Sequence, residues 1–323
     1  MLNQTKIKVM NKCLYCYQRV EHEGDFHVKC CMEFFGTSTP PIIPYTIDQM
    51  ADLAKDIVER SVAVPGVQPK LSMSVVKETR ENTNTRLTVV GALGGQYILK
   101  PPSDKYREMP ENEHVTMRIA EAFGIGVVSS SLIRLASGEF SYITKRVDRT
   151  ANGGKIHKLD MFQITEAYDK YKSSMEKVGK ALHSFSEHTQ LDKIRFFELA
   201  VFCFLTGNSD MHLKNFSMIE SPSGWVLAPA YDLLNVVIVN PDDTEELALT
   251  LDGRKKKLKK EHFEKLANEL GLTDNQIQGV FKRIIKNKQK AHEWIEQSFL
   301  TGELKMAYNE VVQNRYAQLC LTD

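Results

Sequence analysis

The sequence predicts an α+β protein whose first half is rich in strands and whose second half is helical. Downstream of Val64 lie two segments, KLSMSVVKET and RLTVVGALGGQYILKPP, in which apolar residues alternate or are largely β-branched. Clusters of Asn, Thr and Gly separate these segments, which is typical of antiparallel strands joined by turns. Beyond about residue 158, apolar residues recur at helical spacing. These two halves predict two lobes with a cleft, a common place for a ligand.

The first elements follow a cysteine-rich N-terminal stretch and the proline-rich linker PPIIPY. A helix is predicted over 46–61, with Thr46 as its N-cap. Strands are predicted from there to Lys100. The segment PENEHVTMRIAEAFGI then predicts a helix with Pro110 near its start and Gly124 at its end.

Two further strands, VVSSSLIRL and EFSYITKRVDR, are predicted on either side of a turn at Ser137–Gly138. Helices are then predicted over 159–171, 173–184, 190–206, 261–270, 273–298 and 302–320. We therefore divide the chain into a cysteine-rich segment (1–45), a mixed N-lobe with an antiparallel sheet (46–157) and a mostly helical C-lobe (158–323).

Composition is that of an ordinary globular protein, and the targeting and cysteine patterns lead us to expect a cytoplasmic one. Of its 323 residues, 42% are hydrophobic and 26% are charged, and the net charge of +1 argues against a protein built mainly to coat nucleic acid. The N-terminal MLNQTKIKVMNK lacks the apolar core of a signal peptide, and Glu198 interrupts the strongest apolar run. Six cysteines in a chain of this length do not indicate a disulfide scaffold.

The segment TGNSDMHLKNFSMIE, residues 206–220, carries the strongest chemical signal. It brings Asp210, His212, Lys214 and Asn215 together directly after an apolar run, and the segment LAPAYDLLN soon adds Asp232. Phosphoryl transfer requires positioning, charge neutralisation and metal ions more than covalent chemistry. A base for the acceptor hydroxyl and hard oxygen ligands for Mg²⁺ are both present in this set. Asp210 is the candidate base, and the two other oxygen donors are the candidate ligands.

Upstream segments supply the other parts of a phosphoryl-transfer site. The segment PGVQPKLS, residues 65–72, precedes a strand, where a turn can direct backbone N–H groups at phosphates. Lys100 ends the strand QYILK, and Glu111 or Glu113 on the next helix could hold its ammonium group in place. Taken singly, each of these residues also has an ordinary structural explanation.

Four segments, PGVQPKLS, YILKPP, NSDMHLKNFS and APAYDLL, resemble the signature segments of HipA-type serine/threonine kinases, the toxins of bacterial toxin–antitoxin pairs. They occur in the family's order, and the resemblance covers roughly residues 60–300. It implies a two-lobed, protein-kinase-like fold related to phosphatidylinositol kinases. It also implies ATP and Mg²⁺ as cofactors and phosphorylation of the kinase itself and of an aminoacyl-tRNA synthetase. The implied partner is a helix-turn-helix antitoxin, through which DNA would be contacted only indirectly.

The resemblance also assigns roles to individual residues. Asp210 becomes the catalytic aspartate, and Asn215 and Asp232 become Mg²⁺ ligands that also belong to the ATP site. Lys100 is assigned to the α- and β-phosphates. The other residues assigned to ATP are the loop residues Gly66, Val67, Gln68 and Lys70, the hinge residues Lys145, Arg146 and Val147, and His212, Lys214 and Tyr231.

The chain departs from the family's pattern in two places. Ala63 occupies the position three residues before the loop glycine, where the family's well-studied toxin carries its autophosphorylated serine. Ser61 is therefore the candidate autophosphorylation site, as expected for a short form of the family. The resemblance also leads us to expect that the small N-terminal subdomain of the longest members is missing here and that a separate small protein supplies that part.

The N-terminal cysteines predict a structural zinc site, with Cys13-x₂-Cys16 and His27-x₂-Cys30 as the ligand pairs. The alternative is a group of reduced, partly buried cysteines that pack the N-lobe.

A basic run, GRKKKLKK at residues 253–260, could contact a nucleic acid or an acidic partner, although most such runs are solvated entrances to a helix.

Two other functions remain open at this point. A lipid kinase of the phosphoinositide type would share the fold, but the sequence offers no amphipathic membrane anchor. A non-catalytic nucleotide- or DNA-binding regulator could use the zinc site and the basic run. Such a regulator would have no need of a base at Asp210.

Overall fold

The computed structural model describes residues 11–50, 52–53, 70–77, 85–90, 94–150 and 152–321. The chain forms two compact units, each built from two segments. The first unit comprises Met1–Pro101 and Ser129–Thr144, and the second comprises Pro102–Val128 and Lys145–Asp323. The boundaries at residues 45 and 157, which separate the cysteine-rich segment, the N-lobe and the C-lobe, remain predictions.

The first unit is organised around a five-stranded sheet in the order β2-β1-β3-β5-β4. Its elements are α1 (Val28–Phe35), β1 (Leu71–Lys77), β2 (Thr85–Val89), β3 (Tyr97–Lys100), β4 (Ser130–Arg134) and β5 (Phe140–Lys145). Strand β1 is antiparallel to both β2 and β3, and β4 is antiparallel to β5. Gly95 precedes β3 with φ +77°, and a Cβ there would lie 2.6 Å from the Met73 carbonyl oxygen. Glycine is therefore required at this close approach of two backbones.

The cysteine-rich segment packs against this sheet within the first unit. The Tyr97 hydroxyl on β3 donates to the Phe34 carbonyl oxygen on α1 at 3.3 Å, and the two rings are 5.7 Å apart. On β4, the Leu132 amide donates to the Leu14 carbonyl oxygen at 3.2 Å. These contacts attach residues 11–35 to the strands β3 and β4.

The second unit is mostly helical and contains a small antiparallel sheet in the order β6-β7-β8. Its helices are α2 (Met109–Ala122), α3 (Met161–Ile164), α4 (Met175–Phe185), α5 (Thr189–Leu205), α6 (Lys260–Glu269), α7 (Asp274–Gln297) and α8 (Gly302–Gln318), and its strands are β6 (Lys158–Asp160), β7 (Ser217–Ser221) and β8 (Gly224–Leu227). Helix α5 is the centre of this unit, because nearly all of its second half is buried. Its Phe197 meets Phe281 of α7 edge to face at 5.8 Å.

Most of the predicted elements are confirmed, and so is the α+β class. The predicted strands correspond to β1–β5, and the helices predicted at 110–124, 173–184, 190–206, 261–270, 273–298 and 302–320 correspond to α2 and α4–α8 within a few residues. Residues 47–50 and 52–53 are helical as expected, and the rest of the predicted helix 46–61 lies outside the described residues or is not helical. No helix in the described ranges is long and apolar enough to cross a membrane.

The helix predicted over 159–171 is wrong. The chain forms strand β6 and then only the four-residue helix α3. Asp160 caps that helix by accepting from the Gln163 amide at 2.9 Å, and Glu166 then adopts φ +49°, which ends helical geometry. The sheet β6-β7-β8 was not predicted, because β6 overlaps the segment expected to be helical and pairs with β7, which is distant in sequence.

Candidate active site

The buried helix α5 delivers the chain directly to Asp210. At its end Gly207 takes φ +67°, and a Cβ there would lie 2.9 Å from the Asn235 side-chain oxygen. The buried Asn208 donates its amide to the Cys203 carbonyl oxygen at 2.8 Å, and its side-chain oxygen accepts from the Asp210 amide at 3.1 Å. The sequence TGNSD therefore turns the chain sharply at a rigid helix end and fixes the backbone of Asp210.

Three further hydrogen bonds surround Asp210. The Tyr171 hydroxyl donates to its carboxylate oxygen Oδ1 at 2.7 Å. The Asp210 carbonyl oxygen accepts from the His212 amide at 2.8 Å and from Asn215 Nδ2 at 3.0 Å. Burial and the Asp210 charge raise the pKa of the Tyr171 phenol, which therefore keeps its proton and remains a donor. The carboxylate is held in one orientation while Asp210 stays partly exposed.

The segment APAYDLL lies alongside this loop, as hydrogen bonds at both ends show. The Tyr231 hydroxyl donates to the Lys214 carbonyl oxygen at 3.1 Å and also contacts the Ser217 hydroxyl. Further along, the Val236 amide donates to the Gly207 carbonyl oxygen at 2.9 Å. Two segments that are separate in sequence are thus joined along their length within the second unit.

Asp232, between those two attachment points, adopts φ +57°. A residue other than glycine is uncommon in this left-handed region, although aspartate tolerates it better than most. Burial, and then the Asp232 charge, raise the pKa of the neighbouring Tyr231 phenol. Backbone strain of this kind concentrates at functional sites, where surrounding contacts enforce it.

The segment carrying Asp232 is anchored by a buried pair of asparagines. Asn112 on α2 donates from Nδ2 to the Asn235 carbonyl oxygen at 2.8 Å and accepts from the Asn235 amide at 2.9 Å. Both residues are fully buried. This two-point contact resembles the pairing of neighbouring strands, and it fixes the backbone three residues after Asp232.

Asn215 and Asp232 form a donor set that suits Mg²⁺. The Asn215 amide nitrogen is used by the Asp210 carbonyl, so its oxygen Oδ1 is the atom that the side chain can offer to a cation. Asp232 offers carboxylate oxygens, and both residues are therefore hard oxygen donors of the kind that Mg²⁺ prefers. Joint binding of one divalent cation by these two residues stays a prediction.

His212 and Lys214 occupy different environments in the same loop. The His212 ring is buried and meets the Tyr171 ring edge to face at 5.1 Å. Lys214 is exposed, and its ammonium group lies 4.8 Å from the centroid of the Phe162 ring. Contact of either residue with phosphate remains a prediction.

The predicted hinge residues Lys145, Arg146 and Val147 follow β5 and are half-buried. Arg146 makes a bidentate ion pair with Asp148, at 2.9 and 2.8 Å. Burial raises the pKa of the Asp148 carboxyl, but the guanidinium groups of Arg146 and Arg149 outweigh it and hold the pKa below its usual value. This pair fixes the backbone after β5, and its contact with adenine stays a prediction.

The remaining predicted nucleotide residues belong to the first unit. Lys100 is buried at the end of β3, where its ammonium group lies 5.3 Å from the centroid of the Tyr142 ring. Lys70 is exposed just before β1. The loop residues Gly66, Val67 and Gln68 and the predicted phosphorylation site Ser61 lie outside the described residues.

Glu111 and Glu113, the candidate partners of Lys100, lie on α2 in the second unit, and that pairing stays a prediction. Burial, together with the nearby Glu108 carboxylate, raises the pKa of Glu111 from 4.5 to about 7. The folded state therefore binds the proton of the Glu111 carboxyl more tightly than the unfolded chain does. The stability that this proton contributes falls as pH rises from about 4.5 to about 7, by at most about 3 kcal/mol. Above pH 7 the ionised carboxylate is therefore a net cost to folding.

We expect Glu111→Gln to raise the free energy of unfolding at pH 8 by about 1–3 kcal/mol and to leave it nearly unchanged at pH 4.5. Urea unfolding of both proteins at the two pH values measures this difference. Glu310→Gln, which removes an exposed carboxyl from α8, is the matched control and should have little effect at either pH. Equal stabilisation at pH 4.5 and pH 8 would contradict the titration argument.

Sequence reasoning missed three side chains of this site. Tyr171 bonds to Asp210, Lys158 donates to the Ser217 hydroxyl at 3.2 Å and lies 5.3 Å from the centroid of the Tyr231 ring, and Asn112 anchors the segment of Asp232. These residues lie between 39 and 123 positions from their partners, so no local pattern reveals them. Only a known fold could have located them.

Tyr171→Phe is expected to lower the rate of phosphoryl transfer about tenfold with little change in the KM for ATP. A hydrogen bond to a charged group contributes about 1.5–3 kcal/mol, and this one orients the candidate base. Steady-state kinetics of the variant measures both parameters. Tyr168→Phe, three residues earlier and fully exposed, should match the wild type. An unchanged rate for Tyr171→Phe would show that the bond does not orient the base.

The basic run at residues 253–260 is the entrance to helix α6, which begins at Lys260. Lys255 pairs with Glu245 at 3.0 Å, Lys256 bonds to the Thr244 hydroxyl, and Lys259 approaches Glu261 at 3.8 Å. Much of its charge is therefore balanced locally, which favours the structural alternative over a nucleic-acid surface.

At the other end of the chain, the candidate zinc ligands Cys13, Cys16, His27 and Cys30 do come together, with ligand atoms within 4.8 Å of one another.

Comparison with known proteins places this geometry in a family context. The profile of the HipA-like C-terminal domain matches residues 62–292. A Haemophilus influenzae protein named "Putative kinase" is 26% identical over 290 residues, which cover 80% of this chain and 82% of that protein. The "Serine/threonine-protein kinase toxin HipA" of Shewanella oneidensis is 28% identical over 219 residues, which cover 59% of this chain and 47% of the toxin.

A solved structure confirms the predicted protein-kinase-like fold. The match is a chain of the complex of Shewanella oneidensis HipA, HipB and operator DNA, with a TM-score of 0.66 and 23% identity. It covers 80% of this chain and 65% of that chain. At this identity the likeness concerns the fold. The chain spans about half the length of the Shewanella toxin.

Proposed function

Since the chain belongs to the HipA-like C-terminal domain family and is a serine/threonine kinase at the level of that family, we propose that it transfers the γ-phosphoryl group of ATP to a serine hydroxyl of a protein. The four signature segments predict the family, and the family match confirms it. ATP, Mg²⁺ and the identity of the acceptor belong to the proposal. They rest on the donor groups of the second unit and on the resemblance.

The observation that carries this proposal is the fixed, partly exposed carboxylate of Asp210. Tyr171 holds Oδ1, so the second oxygen, Oδ2, is the atom that would accept the proton of the serine hydroxyl. The hydrogen bond from Asn215 to the Asp210 carbonyl ties the base and the candidate metal ligand into one loop. A protein that only binds nucleotide has no need of a base held in this way.

The other site residues bind and orient the nucleotide in this proposal. Asn215 and Asp232 would hold Mg²⁺, which when bound supplies positive charge to the phosphates. Lys100 would contact the α- and β-phosphates, and the stretch Lys145–Val147 would lie along the adenine ring. Gly66, Val67, Gln68 and Lys70 would surround the phosphates, with His212, Lys214 and Tyr231 as further contacts.

Biologically, we place the protein in the cytoplasm as the toxin of a toxin–antitoxin pair that slows growth by phosphorylating an aminoacyl-tRNA synthetase. The Shewanella oneidensis relative is named as a toxin, and a matching structure contains HipA, HipB and operator DNA. By this analogy the partner here would be a helix-turn-helix antitoxin, which would itself contact DNA. A separate small protein as a further partner is part of the same proposal.

Phosphorylation of Ser61 by the kinase itself would limit its own activity. It would add a charge of about −1.5 to −2 beside the phosphate loop and could displace that loop from ATP.

The test is peptide mass spectrometry of the purified protein after incubation with Mg²⁺ and ATP, with Asp210→Asn alongside. Phosphate on Ser61 in the wild type alone is the expected result. Phosphate in both proteins would overturn the assignment of Asp210. If both stay unmodified, the same assay is repeated with candidate aminoacyl-tRNA synthetases and with the proposed separate small protein, and failure there would overturn the kinase proposal.

A further inference from the structure

The four side chains Cys13, Cys16, His27 and Cys30 form a compact cluster in the first unit. Their candidate ligand atoms all lie within 4.8 Å of one another. His27 Nδ1 is 3.4 Å from the Cys16 sulfur and 3.7 Å from the Cys30 sulfur. For a tetrahedral zinc ion with Zn–S near 2.3 Å and Zn–N near 2.0 Å, neighbouring sulfur and nitrogen ligands are about 3.5 Å apart. The observed spacing is close to that of a tetrahedral ligand shell.

The His27 ring is oriented for metal coordination by its other nitrogen. Nε2 lies 2.8 Å from the Arg19 carbonyl oxygen, which can only accept, so Nε2 carries the proton. In the neutral imidazole Nδ1 is then the nitrogen with the free lone pair, and it is the one that faces the Cys16 and Cys30 sulfur atoms. A backbone carbonyl that fixes the tautomer is the usual support of a zinc-bound histidine.

The backbone supplies the four ligands from two short, well-formed elements. Residues 12–19 form a tight turn in which the Cys13 amide donates to the Gln18 carbonyl oxygen at 2.8 Å and the Tyr17 amide donates to the Cys13 carbonyl oxygen at 2.9 Å. Tyr17 adopts φ +63°, which closes this turn. His27 directly precedes α1, and Cys30 lies in its first turn. The pairs Cys-x₂-Cys and His-x₂-Cys therefore face each other as preformed halves of one site.

We propose that this cluster binds one Zn²⁺ ion as a closed structural site. Three thiolates and one imidazole complete a tetrahedral shell and leave no position for substrate, so the ion would have no catalytic role. A disulfide would use two of the three cysteines and leave the third and the oriented histidine without a function. Cys13 is fully buried and Cys30 is 9% exposed, and a buried group of this kind is stable only when its polar atoms have partners.

The ion would stabilise the sheet that carries Lys100. Leu14, inside the turn, accepts from the Leu132 amide of β4 at 3.2 Å. Asp25 accepts from Arg134, also on β4, at 3.0 Å, and Tyr15 donates to Glu33 of α1 at 2.8 Å. Tyr97, three residues before Lys100, donates to α1 in turn. Because zinc would cross-link the turn to α1, it would fix both elements against β3 and β4.

The test measures the metal content of the purified full-length protein by inductively coupled plasma mass spectrometry. We expect about one zinc ion per chain in the wild type and a large loss of zinc in Cys30→Ser. Cys31→Ser is the matched control, because Cys31 is adjacent and buried but its sulfur lies 3.9 Å from the Thr37 hydroxyl rather than in the cluster. It should retain the metal.

A second measurement avoids reliance on variants that fail to fold. Wild-type protein refolded with Co²⁺ should show the intense visible absorption of a tetrahedral thiolate site, and a strong chelator should lower its melting temperature. Neither readout depends on kinase activity, so the result is independent of the proposed function. Folded protein without zinc above background and without the cobalt spectrum would overturn the proposal, and so would a disulfide within the cluster.

Discussion

Asp210→Asn is expected to lower the rate of phosphoryl transfer by about 10²–10⁴-fold while ATP still binds. A positioned general base contributes about this factor, and the amide cannot accept the serine proton. The substitution preserves volume, and the asparagine oxygen can still accept the hydrogen bond from Tyr171. Single-turnover transfer to a protein acceptor, together with calorimetric ATP binding, separates the two effects.

Asp242→Asn is the control for this experiment, because it removes an exposed carboxylate from a nearby stretch of the same unit. It should leave both transfer and ATP binding at the level of the wild type. If Asp210→Asn instead lost ATP binding together with transfer, the carboxylate would be a nucleotide ligand rather than the base. Full transfer by Asp210→Asn would remove the assignment altogether.

The same pair of proteins distinguishes the alternatives that the sequence left open. A lipid kinase would phosphorylate phosphoinositide vesicles and leave protein acceptors unmodified, and it would still depend on Asp210. A non-catalytic nucleotide-binding regulator would bind ATP equally in both proteins and transfer phosphate in neither. The fixed carboxylate and the family match both favour the protein kinase.

Asn112→Ala is expected to destabilise the protein by about 2–5 kcal/mol and to weaken Mg²⁺-dependent ATP binding. The change leaves the amide and the carbonyl of Asn235 buried without their partner, and each such group costs about 1–3 kcal/mol. It also releases the backbone near Asp232, whose left-handed conformation depends on its surroundings. Urea unfolding and ATP titrations over a range of Mg²⁺ concentrations measure the two effects.

An exposed asparagine provides the comparison for this substitution. Asn268→Ala on helix α6 removes the same side chain from the surface and should change the free energy of unfolding by less than about 0.5 kcal/mol. A loss of stability below about 1 kcal/mol in Asn112→Ala would mean that the Asn235 backbone finds other partners. Normal Mg²⁺ dependence in a destabilised variant would show that the asparagine pair supports the fold but not the metal ligand.

The sequence alone determined the fold class and most of the elements, and it predicted a chemistry for the candidate site. Helices α4 and α6–α8 were predictable because apolar residues recur in them at helical spacing, and α5 because its apolar run is longer than a strand. Strands β1–β5 were predictable because alternation and turn residues mark them. The segments around Asp210 and Asp232, and the ligand pairs Cys13–Cys16 and His27–Cys30, were visible as short patterns with known chemistry. Local order along the chain was enough for these predictions.

Only the tertiary structure decided which residues support that chemistry. Tyr171 meets Asp210, Tyr231 joins the loop of Lys214, and Asn112 meets Asn235 across separations of 39, 17 and 123 positions. The failed helix at 159–171 has the same origin, because the pairing of β6 with β7 replaces local helical preference there. Contacts between distant residues leave no period in a single sequence, since they arise from packing and not from the neighbours along the chain.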